Sequence, residues 1–395
     1  MTTATSADQV IQAATNLAPL IREYSDEAEQ NLRLSTPVVD ALTDAGVFRY
    51  LVPQSLGGGE GDPPGFYRMV EELGRVDGST GWCGYVGSGG SFIGPNLSDE
   101  AAQPIWSDPR AVLAGGVFPF QPIVREAGGY RVNGQWSYVS GSTHATYLMA
   151  SCILPSDESP GNEAQADPNL GFVVVPRDAA ESPDTWDVLG LNGTGSHDVA
   201  IRSILVSELF TAQFRPGGPK GSHYQGQLYR FPFTGFFAQP MGAVALGIAQ
   251  GAIDSVIDVA QSKVPVGGGG QSTLNERPLF HLQIAEAVAA ASSARTWLYQ
   301  VVQENWELAQ AGEVPLAARN LLALAAAHAT KSARQAIEVM YLAAGGSANY
   351  NKSPLPRAGR DIHALTQHVA TSPQQFPNAG RILAGLEPDS PFIFL

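Results

Sequence analysis

The sequence predicts an α+β chain that is mainly α, built as an N-terminal helical domain (1–110), a middle β-domain (111–225) and a C-terminal helical bundle (226–395). Three observations predict it. Apolar residues recur at helical spacings in the first region. Short runs rich in Val, Ile, Tyr and Phe, bounded by Gly, Pro, Asn and Asp, fill the second. Long periodic stretches with few breakers make up the third. This segregation differs from the alternating order of a doubly wound sheet. No G-x-G-x-x-G stands between a strand and a helix, so a Rossmann nucleotide site is not expected.

Taken in order, Ile11, Ala14, Leu17 and Ile21, then Val38, Leu42 and Val47, mark helical faces. Gly46 and Leu56-Gly57-Gly58-Gly59 interrupt them as turns. A helix resumes over 66–73 and is expected to stop near Asp77-Gly78-Ser79. In the middle region 130–132, 136–139, 147–154 and 171–175 read as strands, and 156–169 as an exposed polar loop. Beyond it, 243–259, 279–310 and 314–344 read as long helices. Gly345-Gly346 is a C-cap signal for the third, and 263–270 reads as a flexible loop.

Composition narrows the function. The chain is 44% hydrophobic and 15% charged, with a net charge of −14 and a pI of about 4.9. Such a surface repels nucleic acid and anionic lipid, so neither is expected as a partner. Cys83 and Cys152 sit in apolar stretches and read as buried free thiols. No His/Cys cluster has zinc spacing, so no metal is expected. The N-terminus lacks a basic segment followed by an apolar core. No run is read as reaching the roughly 18 apolar residues of a membrane helix. The expected location is the cytoplasm.

Several motifs carry more information. Leu42 to Arg49 leads into Val52-Pro53-Gln54-Ser55-Leu56-Gly57-Gly58, and Asp77-Gly78-Ser79-Thr80-Gly81-Trp82 follows. A glycine-bounded strand pair runs from Gly128-Gly129-Tyr130 through Trp136 to Ser140-Gly141. By itself Ser140-Gly141 reads as a turn. Leu191 to Val199 contains Gly193-Thr194-Gly195-Ser196, in which glycines allow a close backbone approach and two hydroxyls are offered. Here His197 reads as a solvated loop residue and Asp198 as a loop-fixing carboxylate bound to backbone N–H groups. Glu276-Arg277-Pro278 opens a helix, and Arg360-Asp361 precedes His363 and His368 near the end.

Together, these motifs resemble the acyl-CoA dehydrogenase superfamily, and look most like its flavin-dependent two-component monooxygenase branch, over about 20–385. The resemblance implies the acyl-CoA dehydrogenase fold and a cofactor of reduced FMN or FAD, handed over by a separate flavin reductase, with O2 as co-substrate. It implies cofactor contacts from Trp136, Ser140, Gly141, Thr194 and Ser196. In the family the serine at Ser140 hydrogen-bonds near the flavin N5 or O4, and a hydroxyl can donate or accept there. Arg277 corresponds to an arginine that reaches the flavin phosphate of a neighbouring subunit, and its planar fork suits that task. His368 corresponds to a substrate-facing histidine, with an unperturbed pKa near 6.5 fit for acid–base work. His144 matches a further catalytic candidate beside Ser140. Asp361 and His363 read as helix-packing residues. A homotetramer is implied through the bundle.

The same resemblance argues against dehydrogenase chemistry. The positions of the dehydrogenases' glutamate base fall at about Val369 and Phe237, neither of them a carboxylate. Without a base, α-proton abstraction loses ~10²–10⁴-fold. The implied activity is therefore hydroxylation of an aromatic or heteroaromatic small molecule by way of a C4a-hydroperoxyflavin, with the aromatic run 231–237 as a candidate dry wall. The alternatives are an N- or S-oxygenase of the same branch, an acyl-CoA-dehydrogenase-type flavin dehydrogenase, and a non-enzymatic flavin-binding scaffold. One departure is notable. Aromatic hydroxylases of the branch often carry a histidine where this chain has about Gly90, and small residues there imply a more open pocket or a different substrate.

Overall fold

Helix caps punctuate the first part of the chain. The computed structural model describes residues 7–155, 169–214, 221–265 and 272–389. Six helices come first: α1 (Ala7–Asn16), α2 (Ala18–Gln30), α3 (Thr36–Asp44), α4 (Pro63–Val76), α5 (Gly78–Gly90) and α6 (Asp99–Trp106). Asp62 caps α4 by accepting from the Gly65 amide at 2.6 Å, with Pro63 in the first turn. Gly46 takes φ 80° in the turn after α3, a backbone region that favours glycine.

The helix expected over 66–73 does end before Asp77, but another begins at once. Asp77 accepts from the Thr80 amide and hydroxyl at 2.7 and 2.8 Å and starts α5. Six of the thirteen residues of α5 are glycine. Propensity argues against a helix here, at ~1 kcal/mol per glycine. Tertiary packing overrides it. A Cβ on Gly81 would stand 2.6 Å from Gly74 Cα, and one on Gly90 would stand 2.5 Å from the Leu113 carbonyl oxygen. α5 therefore lies backbone to backbone against α4 and the first strand.

The strands form two sheets. β1 (Leu113–Pro122), β4 (Tyr147–Ile153), β5 (Leu170–Pro176) and β7 (Thr211–Gln213) order as β1-β4-β5-β7, with β1 parallel to β4. β2 (Val124–Glu126), β3 (Gly129–Trp136) and β6 (Val199–Val206) order as β2-β3-β6 and are antiparallel. The strand expected over 136–139 stops at Trp136, because Tyr138 adopts φ 60° and the chain turns. Of the loop expected over 156–169, residues 156–168 lie outside the described residues, as do 266–270 of the loop expected over 263–270.

The last region is again helical: α7 (Thr234–Phe237), α8 (Met241–Ala260), α9 (Pro278–Ala311), α10 (Leu316–Ala344), α11 (Pro354–Leu365) and α12 (Gln375–Leu383). Gly345, at φ 58°, follows the last residue of α10. α8 packs against α4, α9, α10 and α11, and Val244, Ala245, Leu246 and Ala249 are fully buried in the main core. Contrary to the sequence reading, Thr234–Ala260 is long and apolar enough to cross a bilayer, although much of it is enclosed in this core. The buried Glu71 on α4 accepts from Arg295 Nε and Tyr299 OH of α9, both at 2.6 Å. Cys83 and Cys152 are buried free thiols.

Gly90 has ordinary helical angles, φ −56° and ψ −32°, so an alanine suits its backbone. The close approach to Leu113 decides the outcome instead. Gly90→Ala is expected to lower stability by ~1–3 kcal/mol, read as an earlier urea midpoint. A variant as stable as the parent would show that space is open there.

Candidate active site

Two loops meet where the helical and β regions join. Residues 137–145 follow β3, and residues 190–197 precede β6. Backbone bonds zip them together, from Val139 N to His197 O at 3.1 Å and from Gly141 N to Thr194 O at 3.0 Å. This brings three hydroxyls side by side. Ser140 Oγ lies 2.6 Å from Ser196 Oγ, and Ser196 Oγ lies 2.7 Å from Thr194 Oγ1. Thr194 donates to the Leu191 carbonyl at 2.7 Å. Trp82, on α5, donates its indole N–H to Ser140 Oγ at 2.9 Å.

One proton assignment satisfies all four bonds. A carbonyl only accepts, so Thr194 donates to Leu191, Ser196 to Thr194, and Ser140 to Ser196. The hydrogens run one way, from Trp82 to Leu191. Ser140, expected to donate or accept alike, keeps only an acceptor lone pair for a ligand.

His368, just past α11, packs edge to face on Trp82 with ring centroids 5.8 Å apart. Its Nδ1 accepts from the Ala370 amide at 3.2 Å, so in the neutral ring the hydrogen sits on Nε2. Burial pushes its pKa down to about 4. A base with the ordinary pKa near 6.5 is not what this environment provides. It provides a neutral imidazole with an Nε2–H donor. Burial also pushes His144 down to about 4. That ring lies 5.6 Å from Phe48, and its Nδ1 has no hydrogen-bond partner among the described residues.

Other expected residues fall elsewhere. Trp136 is 1% exposed, and its N–H donates to the Ser151 carbonyl at 2.9 Å inside the β core. It offers no surface to a cofactor, which corrects its assignment. Thr194 is also only 1% exposed and supports Ser196 from behind. Arg277 stands at the N-cap of α9 and takes no part in the hydroxyl chain. His197 is not solvated: its Nδ1 accepts from the Thr185 and Trp186 amides, each at 3.2 Å. The Asp198 carboxylate accepts from the Gln135 side-chain amide at 2.7 Å instead of from backbone. His363 is half exposed near Glu338. The small residues near Gly90 do not open a pocket, since a Cβ on Gly89 would stand 2.6 Å from the Phe236 carbonyl oxygen.

Three contributions escaped the sequence reading. Trp82 and Tyr85 share one face of α5, with rings 5.6 Å apart, and the Tyr85 hydroxyl donates to the Phe237 carbonyl. Their i, i+3 spacing is a usable signal once α5 is recognised as a helix. Asp361, read as a packing residue, accepts from the Leu191 amide at 2.6 Å. Of the run 231–237, Phe231 and Phe236 are core, whereas Phe233 and Phe237 are half-buried and stack at 5.2 Å. Val369, one position of the dehydrogenase base, is 62% exposed.

These groups fit a flavin. A flat heteroaromatic ring edged with N–H and C=O groups would meet an acceptor at Ser140, an unpartnered nitrogen at His144 and a donor at His368. Cavity size does not mark this site. Cavities of about 610 and 640 Å3 border α11, and neither includes Ser140 or His368.

Comparison with known proteins agrees. The family models "Acyl-CoA dehydrogenase, N-terminal domain" and "Acyl-CoA dehydrogenase, C-terminal domain" match residues 7–98 and 240–373. The chain is 34% identical to an indole-3-acetate monooxygenase of Pseudomonas putida, covering 92% of this chain and 90% of that one. It is 29% identical to the flavin-dependent monooxygenase oxygenase subunit HsaA of Mycobacterium tuberculosis, covering 93% of each. The crystal structure of the M. tuberculosis HsaA monooxygenase superposes with a TM-score of 0.87 at 27% identity, over 99% of this chain and 100% of that one. The chain therefore belongs to the acyl-CoA dehydrogenase superfamily, in its branch of flavin-dependent two-component monooxygenases.

Proposed function

We propose that this monooxygenase hydroxylates an aromatic or heteroaromatic small molecule, with Ser140 and His368 flanking the reaction. The observation that carries the reading is the line of contacts from Thr194 through Ser196, Ser140 and Trp82 to His368. It aligns an acceptor and a neutral N–H donor about one indole. Reduced FMN or FAD, when bound, supplies two electrons to O2. The rest falls to the chain. Ser140 receives an N–H of the flavin edge. Trp82, Tyr85, Phe233 and Phe237 keep water from the reacting atoms, and the half-buried Phe233 and Phe237 offer faces to an aromatic substrate.

His368, in this reading, donates from Nε2 to a negatively polarised substrate oxygen and holds it. It does not remove a proton at that atom, because Nδ1 is committed to Ala370. Arg277 serves the flavin phosphate of a neighbouring copy in a homotetramer. The half-exposed or exposed Leu279, Leu282 and Leu342 on α9 and α10 support such assembly. The reductase is a separate protein, consistent with the relative described as an oxygenase subunit. No carboxylate replaces the base of the dehydrogenases at Val369 or Phe237.

The direct test supplies photoreduced FMN or FAD and O2 with a panel of phenols and indoles, and measures hydroxylated product. Product from none of them, against reduction of the oxidised holoprotein by an acyl-CoA, would overturn the reading. His368→Ala is expected to lower product formed per flavin oxidised by ~10²-fold, the loss of one directed hydrogen-bond donor, with reduced-flavin affinity, measured anaerobically, held within a few-fold.

The pH dependence has a definite sign. His144 and His368 have folded pKa values near 4 against about 6.5 unfolded. The unfolded chain binds more protons between these values, so their contribution is present above pH 6.5 and is lost as pH falls toward 4. Melting temperature is expected to drop over that window. His368→Gln is expected to flatten the drop, and an unchanged slope would contradict the assigned burial. The activity profile is expected to show no limb near pH 6.5 that disappears in His368→Gln.

A further inference from the structure

The loop before β6 holds a conformation its residues do not prefer. Leu191 takes φ 56°, a region that bulky side chains avoid. Its amide donates to Asp361 Oδ1 at 2.6 Å in a buried setting. Gly190, just before it, lies so close to α11 that a Cβ would stand 2.2 Å from the Arg360 carbonyl oxygen. Asp361 is 3% exposed. Its second oxygen lies against the first residue of α5, where a Cβ on Gly78 would come within 2.7 Å of it. One carboxylate thus joins three segments: the loop that carries Thr194 and Ser196, the helix that carries Trp82, and the helix that leads to His368.

The hydroxyl chain ends on the carbonyl of this same Leu191. Held there, that carbonyl takes the Thr194 hydrogen and orients every hydrogen behind it. An acceptor-only Ser140 suits a ligand edge that carries N–H and opposes one that presents a bare nitrogen. The N5 of reduced flavin carries a hydrogen, and the N5 of oxidised flavin does not. We propose that Asp361, acting through Leu191, is the positioning residue that sets the direction of the hydroxyl chain and so makes the site prefer reduced over oxidised flavin. This rests on the placement of the flavin beside Ser140 proposed above.

The test is anaerobic equilibrium binding of photoreduced and of oxidised FMN and FAD to the full chain and to Thr194→Val, Asp361→Ala and Asp361→Asn. Amide hydrogen exchange is followed in parallel. The parent is expected to bind one reduced flavin at least ~10-fold more tightly than its oxidised form, the cost of facing one acceptor with another. Thr194→Val removes the donor to Leu191 with little change of shape and is expected to bring the ratio toward one. Asp361→Ala is expected to do the same and to speed exchange at the Leu191 amide. Asp361→Asn, whose amide oxygen still accepts from Leu191, is expected to restore both.

An unchanged ratio in Thr194→Val overturns the proposal. So does a ratio lost equally in Asp361→Asn and Asp361→Ala, which would assign the effect to charge. Where Asp361→Ala does not fold, Thr194→Val and Asp361→Asn decide. A flavin that binds without protecting the amides of 139–144 overturns the placement beside Ser140. The clamp itself is read separately, from exchange at Leu191 without flavin.

Discussion

The arrangement depends on a helix that has surrendered nearly half of its side chains. α5 passes between α4, α8, the first strand and the Phe236 turn. Glycine at six of its thirteen positions lets those neighbours pack on its backbone. Interiors are packed to near-crystal density, so even one methyl has no room at Gly81 or Gly90. The helix exists because its surroundings enclose it. Its propensity, summed over those glycines, opposes it. The N-cap Asp77 at its first turn offsets part of that opposition.

Two of the side chains that α5 does carry, Trp82 and Tyr85, face the site. Trp82 donates to Ser140 and backs His368, and Tyr85 ties the helix to Phe237. The active groups come from five separate stretches of sequence, and α5 is the element that touches the others. A bare helix is a sound mount for such a site. Backbone-to-backbone contacts fix its position more closely than interdigitated flexible side chains do, and hydrogen-bond directions at Ser140 require that closeness.

Much of the fold was legible in the sequence. Long helices with clear periodicity, such as α8, α9 and α10, fall close to their expected limits, and Gly345 closes α10 as its sequence position suggests. The family followed from motifs whose residues now have visible duties, including Ser140 and the Thr194–Ser196 pair. What failed to show were features set by close approach. The small residues 87–90 read as an open pocket, because sequence alone does not tell a residue kept small by contact from one kept small by freedom. Trp136 stood inside the best-matching motif and yet is a core residue: the motif constrains the strand pair, not every side chain in it. Asp361 was read as packing because its partner, the Leu191 amide, is a backbone group of a distant loop.

Burial also explains why this scaffold serves oxygen chemistry and not proton abstraction from a thioester. A glutamate base needs a position that is enclosed enough to tune its pKa and open to substrate. Val369 faces outward, and Phe237 is engaged in a ring stack. Two buried imidazoles, His144 and His368, stand by the site, and burial holds both neutral at neutral pH. Neutral imidazole brings no charge into an apolar enclosure, so it avoids the desolvation that an ionised carboxylate would suffer there. It can still donate one directed hydrogen bond. For a reaction in which the flavin and O2 provide the electrons and the oxygen atom, the protein is left to orient groups and keep water out. A site of hydroxyls, neutral imidazoles and aromatic faces is suited to that division of labour.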